Sequence, residues 1–294
     1  MIEEYITYGI LVVLGAMLGS YAAATVWRLR AKQLQYDETH GEKVTKKEKQ
    51  EIANLQKRSV ATDRSVCLHC GRQLAWFDLL PIVSWLALRG KCRTCHKPIG
   101  TMELFAEIGM AAAFTLSYAL WPYALETAPQ QVLFAVWLAI VVLLAIHWMY
   151  DAKWQVLLNK ITIYLGILSV VYAGLYVYAF SLPLMDYALQ IGLLLLILPG
   201  FYTILYIASG RSWIGLGDIY LLIPFALLLP SWEYGILVIF LANFIGTLAV
   251  LPGMVLKKIT RTSRVPFGPF LIAGFIATVL VGPTLLAFYL QSLM

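Results

Sequence analysis

Charge is what this chain has least of. Asp, Glu, Lys and Arg make up 13% of its 294 residues, while hydrophobic residues make up 61%. A water-soluble domain carries roughly a quarter of its residues as charges, so the composition excludes an ordinary soluble domain and indicates a polytopic membrane protein. Sustained apolar/polar alternation is also missing, which excludes a membrane barrel and leaves helices as the spanning element. There is no Gly-x-Ser-x-Gly, no His-Glu-x-x-His and no P-loop, so the serine hydrolase, zincin and NTPase readings lack their residues. No internal repeat or low-complexity tract is present. The amino terminus, Met1-Ile2-Glu3-Glu4, lacks the basic flank of a secretory signal, which predicts that the first helix is retained rather than cleaved.

What is there is apolar sequence in bilayer-length runs. Eight stretches of roughly 20 residues are long enough to cross a membrane: Tyr5–Trp27, Met102–Trp121, Val132–Tyr150, Ile161–Phe180, Tyr187–Ile207, Trp213–Trp232, Tyr234–Leu256 and Phe267–Leu290. The fold expected is therefore an all-α polytopic membrane protein of about eight transmembrane helices. It divides into a first helix (1–27), a cytoplasmic loop (28–100) and a seven-helix membrane core (101–294). All 22 Lys and Arg residues fall in alternate connections. The positive-inside rule then puts those connections in the cytoplasm and both termini outside. The net charge of +6 is on this reading a topology signal and an attraction to anionic lipid, not a nucleic-acid footprint.

The long loop between the first two stretches has two characters. From Lys32 to Arg58 it is dense in Lys and Glu, which predicts a solvated helix or partial disorder. Beyond that it holds all four cysteines, as Cys67-Leu-His-Cys70 and Cys92-Arg-Thr-Cys95. Two Cys-x-x-Cys knuckles at this separation suit four thiolate ligands on a structural zinc. Two disulfides are the alternative, disfavoured by a cytoplasmic address. His69 and His96 flank the knuckles and are read as bystanders. The intervening Trp76–Leu86 segment is too short to span and is expected at the membrane surface, with its tryptophans at headgroup level.

The chemistry is expected at two acids. Asp218 follows Gly215-Leu216-Gly217 at the mouth of an apolar segment. A carboxylate beside so much apolar sequence loses hydration, and such residues mark functional cavities and have partners; the glycines let another backbone or a substrate come close. The plainer reading is a helix-start acid that caps its own helix. Asp151 ends the third stretch at the same expected membrane depth. Two carboxylates that converge share a proton, so that one takes a proton from water while the other donates to a carbonyl, which is aspartyl-protease chemistry. His147, one turn before Asp151, is either a tuning group or a satisfied core histidine. Glu103 and Glu107 lie at i, i+4 on one helix face, and Glu107 is the one expected to support the site.

In order along the chain, these residues resemble the type IV prepilin peptidases. Gly19-Ser20 with Arg28-Leu29 is similar to the first-helix signature of that family, and Cys67 to Cys95 with Leu80-Pro81-Ile82-Val83-Ser84-Trp85-Leu86 to its cysteine-rich loop. Glu107 stands where the family has an acid. Asp151 with Asn159 and Thr162 resembles the first aspartate motif, Gly215-x-Gly217-Asp218 the second, and Pro266-Phe267-Gly268-Pro269-Phe270 the last-helix motif. The resemblance implies an inner-membrane GxGD aspartyl endopeptidase that cuts short basic leaders from prepilins or pseudopilins at the cytoplasmic face. Catalysis would rest on Asp151 and Asp218. The resemblance alone also implies S-adenosylmethionine-dependent methylation of the new amino terminus. Asp78, Glu103 and Glu107 are the local acids expected to meet a basic leader. A transporter using paired intramembrane aspartates as an ion or proton site is the alternative. A non-enzymatic anchor for pilus assembly would not need the aspartates.

Overall fold

The computed structural model describes residues 2–40, 64–258 and 265–292, with Gln50, Ile52, Leu55 and Thr260. Most of the Lys/Glu-rich tract between Lys43 and Arg58 lies outside the described residues. The described elements are helical: α1 (Ile2–Thr39), α2 (Val83–Ala87), α3 (Met102–Ala119), α4 (Ala128–Trp154), α5 (Asn159–Phe180), α6 (Leu184–Leu195), α7 (Phe201–Ala208), α8 (Leu216–Leu228), α9 (Trp232–Val255) and α10 (Gly268–Ser292). Among the described residues no strand forms beyond two isolated bridges, Val66 with Gln73 and Lys91 with Pro98.

All eight apolar stretches are helical, but unequally. Six helical runs are long and apolar enough to cross a membrane, with α6 and α7 counting as one run through Leu184–Ala208. The other two stretches are α3, of 18 residues, and α8, of only 13. At 1.5 Å per residue α8 is about 20 Å long, short of a hydrocarbon core of about 30 Å. Its limits are set by sequence: Gly215 is the N-cap and Leu229, extended and followed by Pro230, ends it. At the other extreme α1 does not stop at Trp27. Its 38 residues reach about 57 Å, so its last three turns continue past a bilayer. Large apolar side chains such as Ile163, Ile167, Ile204, Ile236 and Phe240 point outward, each more than half exposed, as lipid-facing residues do.

The chain forms two compact units, Met1–Thr115 and Leu116–Met294. In the first, α1 and α3 meet through small residues. A Cβ on Gly15 would lie 2.7 Å from the Met110 carbonyl oxygen, and one on Gly19 would strike the Ala106 carbonyl. Glycines four residues apart thus let two backbones touch, which is how helices associate where no water drives them together.

In the second unit α9 and α10 pack equally closely, since a Cβ on Gly274 would lie 2.5 Å from the Ala242 nitrogen. The core there is aromatic. Phe225 of α8 stacks on Phe275 of α10 with centroids 4.0 Å apart, and Trp137 of α4 lies against the same ring while its Nε1–H donates to Ser117 Oγ at 3.0 Å. Between α6 and α7 a wide helical turn, Leu196–Gly200, contains Pro199. Proline lacks the amide a regular turn would use, and such widened turns recur at functional sites.

Candidate functional site

The four cysteines of the first unit come together. Their Sγ atoms all lie within 4.8 Å of one another, and Cys67 Sγ is 3.9 Å from Cys95 Sγ. Four bonds of about 2.3 Å in a tetrahedron set the sulfurs about 3.8 Å apart, so this cluster fits a metal ion. The two knuckles are built alike. Cys67 N–H donates to the Arg72 carbonyl and Gly71 N–H to that of Cys67, both at 2.9 Å; Cys92 and His96 repeat this with Lys97 and Cys92 at 2.9 and 3.0 Å. Gly71 (φ 70°) and His96 (φ 55°) occupy the same left-handed position, which explains His96 without a ligand role. Burial pushes the Cys67 thiol up. At Cys92 burial acts the same way, but the backbone N–H groups of Cys95 and Thr94 together with hydrogen bonds from the Cys67 and Cys95 thiols outweigh it and hold the thiol below its ordinary range, favouring the thiolate a metal requires.

Asp78 joins the knuckles. Its carboxylate accepts from Arg72 at 2.7 Å, from Arg93 Nε at 3.0 Å and from the Ala75 amide at 3.2 Å. Burial works against its charge, but Arg93, the Ala75 amide and Arg72 together hold its carboxyl below the usual range. Asp78 is thereby committed to two arginines of its own loop and is not a docking acid for a basic leader.

Glu107 is buried and holds the segment between the knuckles. Its Oε2 accepts from the Ile82 amide at 2.6 Å, and Ser20 supplies another hydrogen bond. Ile82 sits at φ 61°, ψ −51°, with Val83 N–H donating to the Pro81 carbonyl at 2.5 Å. This is the strained, positive-φ form of γ-turn, in a β-branched residue that rarely adopts it. Beside it lies a cavity of about 200 Å³, lined by Trp27, Trp85, Glu103 and Glu107 among others. Trp27 Nε1–H donates to Glu103 Oε1 at 2.9 Å. The second oxygen of Glu103 is buried without a partner among the described residues, and a Cβ on Gly100 would reach to 3.2 Å from it.

In the second unit the two aspartates converge. Asp151, 5% exposed, lies in the last turn of α4, and its Oδ2 accepts from the Gly268 amide at the start of α10, at 3.1 Å. Asp218, half-buried, lies in the first turn of α8, and its Oδ2 accepts from the amide of the N-cap Gly215 at 3.3 Å. The capping reading is therefore correct as far as it goes. Yet the two carboxylates are also close enough for their charges to interact. Leu157, just past α4, ties the two glycine segments together. Cβ atoms built on Gly217 and Gly268 would approach its side chain to 3.0 and 3.4 Å, and the one on Gly268 would also lie 2.7 Å from Asp151 Oδ2. His147 is buried but turns to Thr162, whose Oγ1 is 3.4 Å from Nε2.

Residues 13–121 match the bacterial peptidase A24 N-terminal domain, and residues 132–251 match the type IV leader peptidase family. A type 4 prepilin-like proteins leader peptide-processing enzyme of Escherichia coli is 30% identical over 290 residues, covering 95% of this chain and 92% of that protein. A prepilin leader peptidase/N-methyltransferase of Pseudomonas putida is likewise 30% identical, over 292 residues, with 96% and 93% covered.

The chain belongs to the type IV leader peptidase family. No solved structure matches it. As a prepilin peptidase with six long apolar helices, it is a protein of the bacterial inner membrane. Three residues of this peptidase's aspartate region escape a sequence reading of the site. Leu157 is one leucine among many. Gly268 is visible only through the last-helix motif. Tyr202 carries no signal except its place just after Pro199-Gly200.

Proposed function

We propose that this peptidase cuts the short basic leader from prepilins or pseudopilins with Asp151 and Asp218 as its paired acids. One carboxylate takes a proton from the attacking water while the other, protonated, donates to the scissile carbonyl; collapse of the tetrahedral intermediate returns a proton to the leaving amine. The observation that carries this is the convergence of Asp151 and Asp218 around Leu157, with each carboxylate held by one backbone amide at a glycine. Gly217 lets Leu157 pack directly on the backbone at the start of α8, and Gly215 lets the Asp218 carboxylate fold back on its own N-cap, so the two glycines fix the segment that presents Asp218. With basic connections inside, the scissile bond is presented at the cytoplasmic face and both termini lie outside. Co-expression with a prepilin tests the reading: a shortened product is expected, and an unprocessed prepilin overturns it.

The metal in the knuckles is zinc on this reading, chosen by four thiolates. Purified protein is expected to carry about one zinc, and Cys67→Ser or Cys92→Ser to lose it. Because metal binding in such sites supplies folding energy of about 10–16 kcal/mol, the loop should become protease-sensitive in both variants. Elemental analysis without zinc and thiols titrating as disulfides would refute this.

Methylation of the new amino terminus, an activity carried in the names of the relatives, is assigned to the first-unit cavity. S-adenosylmethionine would supply an electrophilic methyl group. The residues fit it: Glu103 offers an ammonium a carboxylate oxygen that has no partner among the described residues, and the Trp27 and Trp85 rings suit a sulfonium. Glu103→Gln is expected to lower methylation on the order of tenfold or more, as loss of a charge-assisted hydrogen bond does, with leader cleavage retained. Mass spectrometry of the processed amino terminus reads both at once, and unchanged methylation would remove Glu103 from this role.

A further inference from the structure

Tyr202 is placed as a working residue would be. Its side chain is buried, with 2% of the residue exposed. Asn243 Nδ2–H donates to its hydroxyl oxygen at 3.2 Å, and Asn243 is itself fixed by a bond to the Ile239 carbonyl at 2.8 Å. A phenol has one proton to donate, and that proton has no acceptor among the described residues. A buried donor is ordinarily satisfied; one left open at a reaction site waits for a ligand.

The neighbours of Tyr202 are the supports of both acids. Its ring lies 5.9 Å from that of Phe267, the residue directly before Gly268, whose amide holds Asp151. Its oxygen is within electrostatic reach of the Asp218 carboxylate. It also adjoins an open groove of about 320 Å³, whose lining includes Asn243, Thr247, Phe267 and Phe270. The groove thus shares two of its lining residues, polar Asn243 and apolar Phe267, with the surroundings of Tyr202.

We propose that Tyr202, oriented by Asn243, donates its hydroxyl hydrogen bond to a main-chain carbonyl of the substrate beside the scissile bond, and so positions the peptide between Asp151 and Asp218. This rests on the reading of those two acids as the cleaving pair. Asn243 occupies one lone pair of the phenol and thereby restricts the directions in which the O–H can donate. The apolar residues that follow the scissile bond lie along Phe267 and Phe270. No bond is made or broken by the phenol, and Tyr202 is a positioning residue.

The test is leader cleavage by the full chain in lipid, with kcat and KM measured separately on a prepilin. Tyr202→Phe keeps the ring packing and removes one oxygen. The expected result is a fall in kcat on the order of tenfold with unchanged thermal stability. Asn243→Ala, which keeps the phenol but lets its hydroxyl turn, should lower kcat less, and the double variant should be no worse than Tyr202→Phe alone, because both act on one hydrogen bond. Wild-type kcat in Tyr202→Phe, or losses that add in the double variant, would overturn the proposal. If Tyr202→Phe were to lower stability, Asn243→Ala would decide by itself, and a wild-type kcat there would reject the inference. Asp151→Asn and Asp218→Asn serve as controls. Cleavage surviving in them refutes the paired-acid reading, whereas their inactivity beside a wild-type Tyr202→Phe refutes only the role of the phenol.

Discussion

Asp151→Asn and Asp218→Asn are each expected to reduce leader cleavage by on the order of 100- to 10,000-fold, the range associated with loss of a general acid or base, while the protein inserts and accumulates normally. The geometry separates these two outcomes. In the native chain each carboxylate accepts one backbone hydrogen bond, from Gly268 for Asp151 and from Gly215 for Asp218. The amide oxygen of asparagine accepts the same bond, so the starts of α10 and α8 stay capped. What asparagine cannot do is exchange a proton with water or with a carbonyl. Full cleavage by either variant would reject the pairing. Asp186→Asn, in the first turn of α6, should cleave as the wild type does, because that acid stands at an ordinary helix start.

The sequence exposes those parts of this molecule that local chemistry dictates. Eight apolar stretches are helices because nothing else satisfies a backbone in lipid. The knuckles form because two Cys-x-x-Cys turns with a left-handed residue after the second cysteine bring four sulfurs together. Asp218 could be placed at a helix start from its neighbours alone. Convergence could not be read, since Gly268 and Asp151 are 117 positions apart and no local pattern encodes their contact. The same limit explains Asp78. A lone acid beside basic residues suggests a docking site, and only the folded loop shows that Arg72 and Arg93 already hold it. Glu107 stands out as a buried acid in the sequence, whereas its tie to the strained turn at Ile82 depends on a chain reversal that composition does not mark. Tyr202 is hidden for a different reason: its phenol matters through what it lacks among the described residues, an acceptor, and a sequence does not record an open donor.

Gly268→Ala should be the most damaging single methyl group in the second unit, and Gly217→Ala should be much milder. Both glycines pack on Leu157, but what their added Cβ would meet differs. At Gly217 the nearest atom is Leu157 Cβ at 3.0 Å, followed by its Cδ1 at 3.3 Å, a tight contact that a shift of a few tenths of an ångström in the connecting segment after α4 relieves. At Gly268 the nearest atom is Asp151 Oδ2 at 2.7 Å, then its Cγ at 3.2 Å. Asp151 is 5% exposed and its oxygen is held by the Gly268 amide itself, so the carboxylate can escape only by breaking that bond and turning away from the Asp218 side. Misplacement of a reacting group by about 1 Å costs on the order of 100-fold in rate, and Gly268→Ala should lose cleavage on that scale with KM little changed. Gly217→Val, whose branched side chain must displace Leu157 further, should fall between the two alanine variants. Cleavage assays on the three purified proteins check the order. A Gly268→Ala enzyme as active as Gly217→Ala would mean that Asp151 need not be held where this structure puts it, and the carboxylate geometry at the start of α10 would then have no bearing on catalysis.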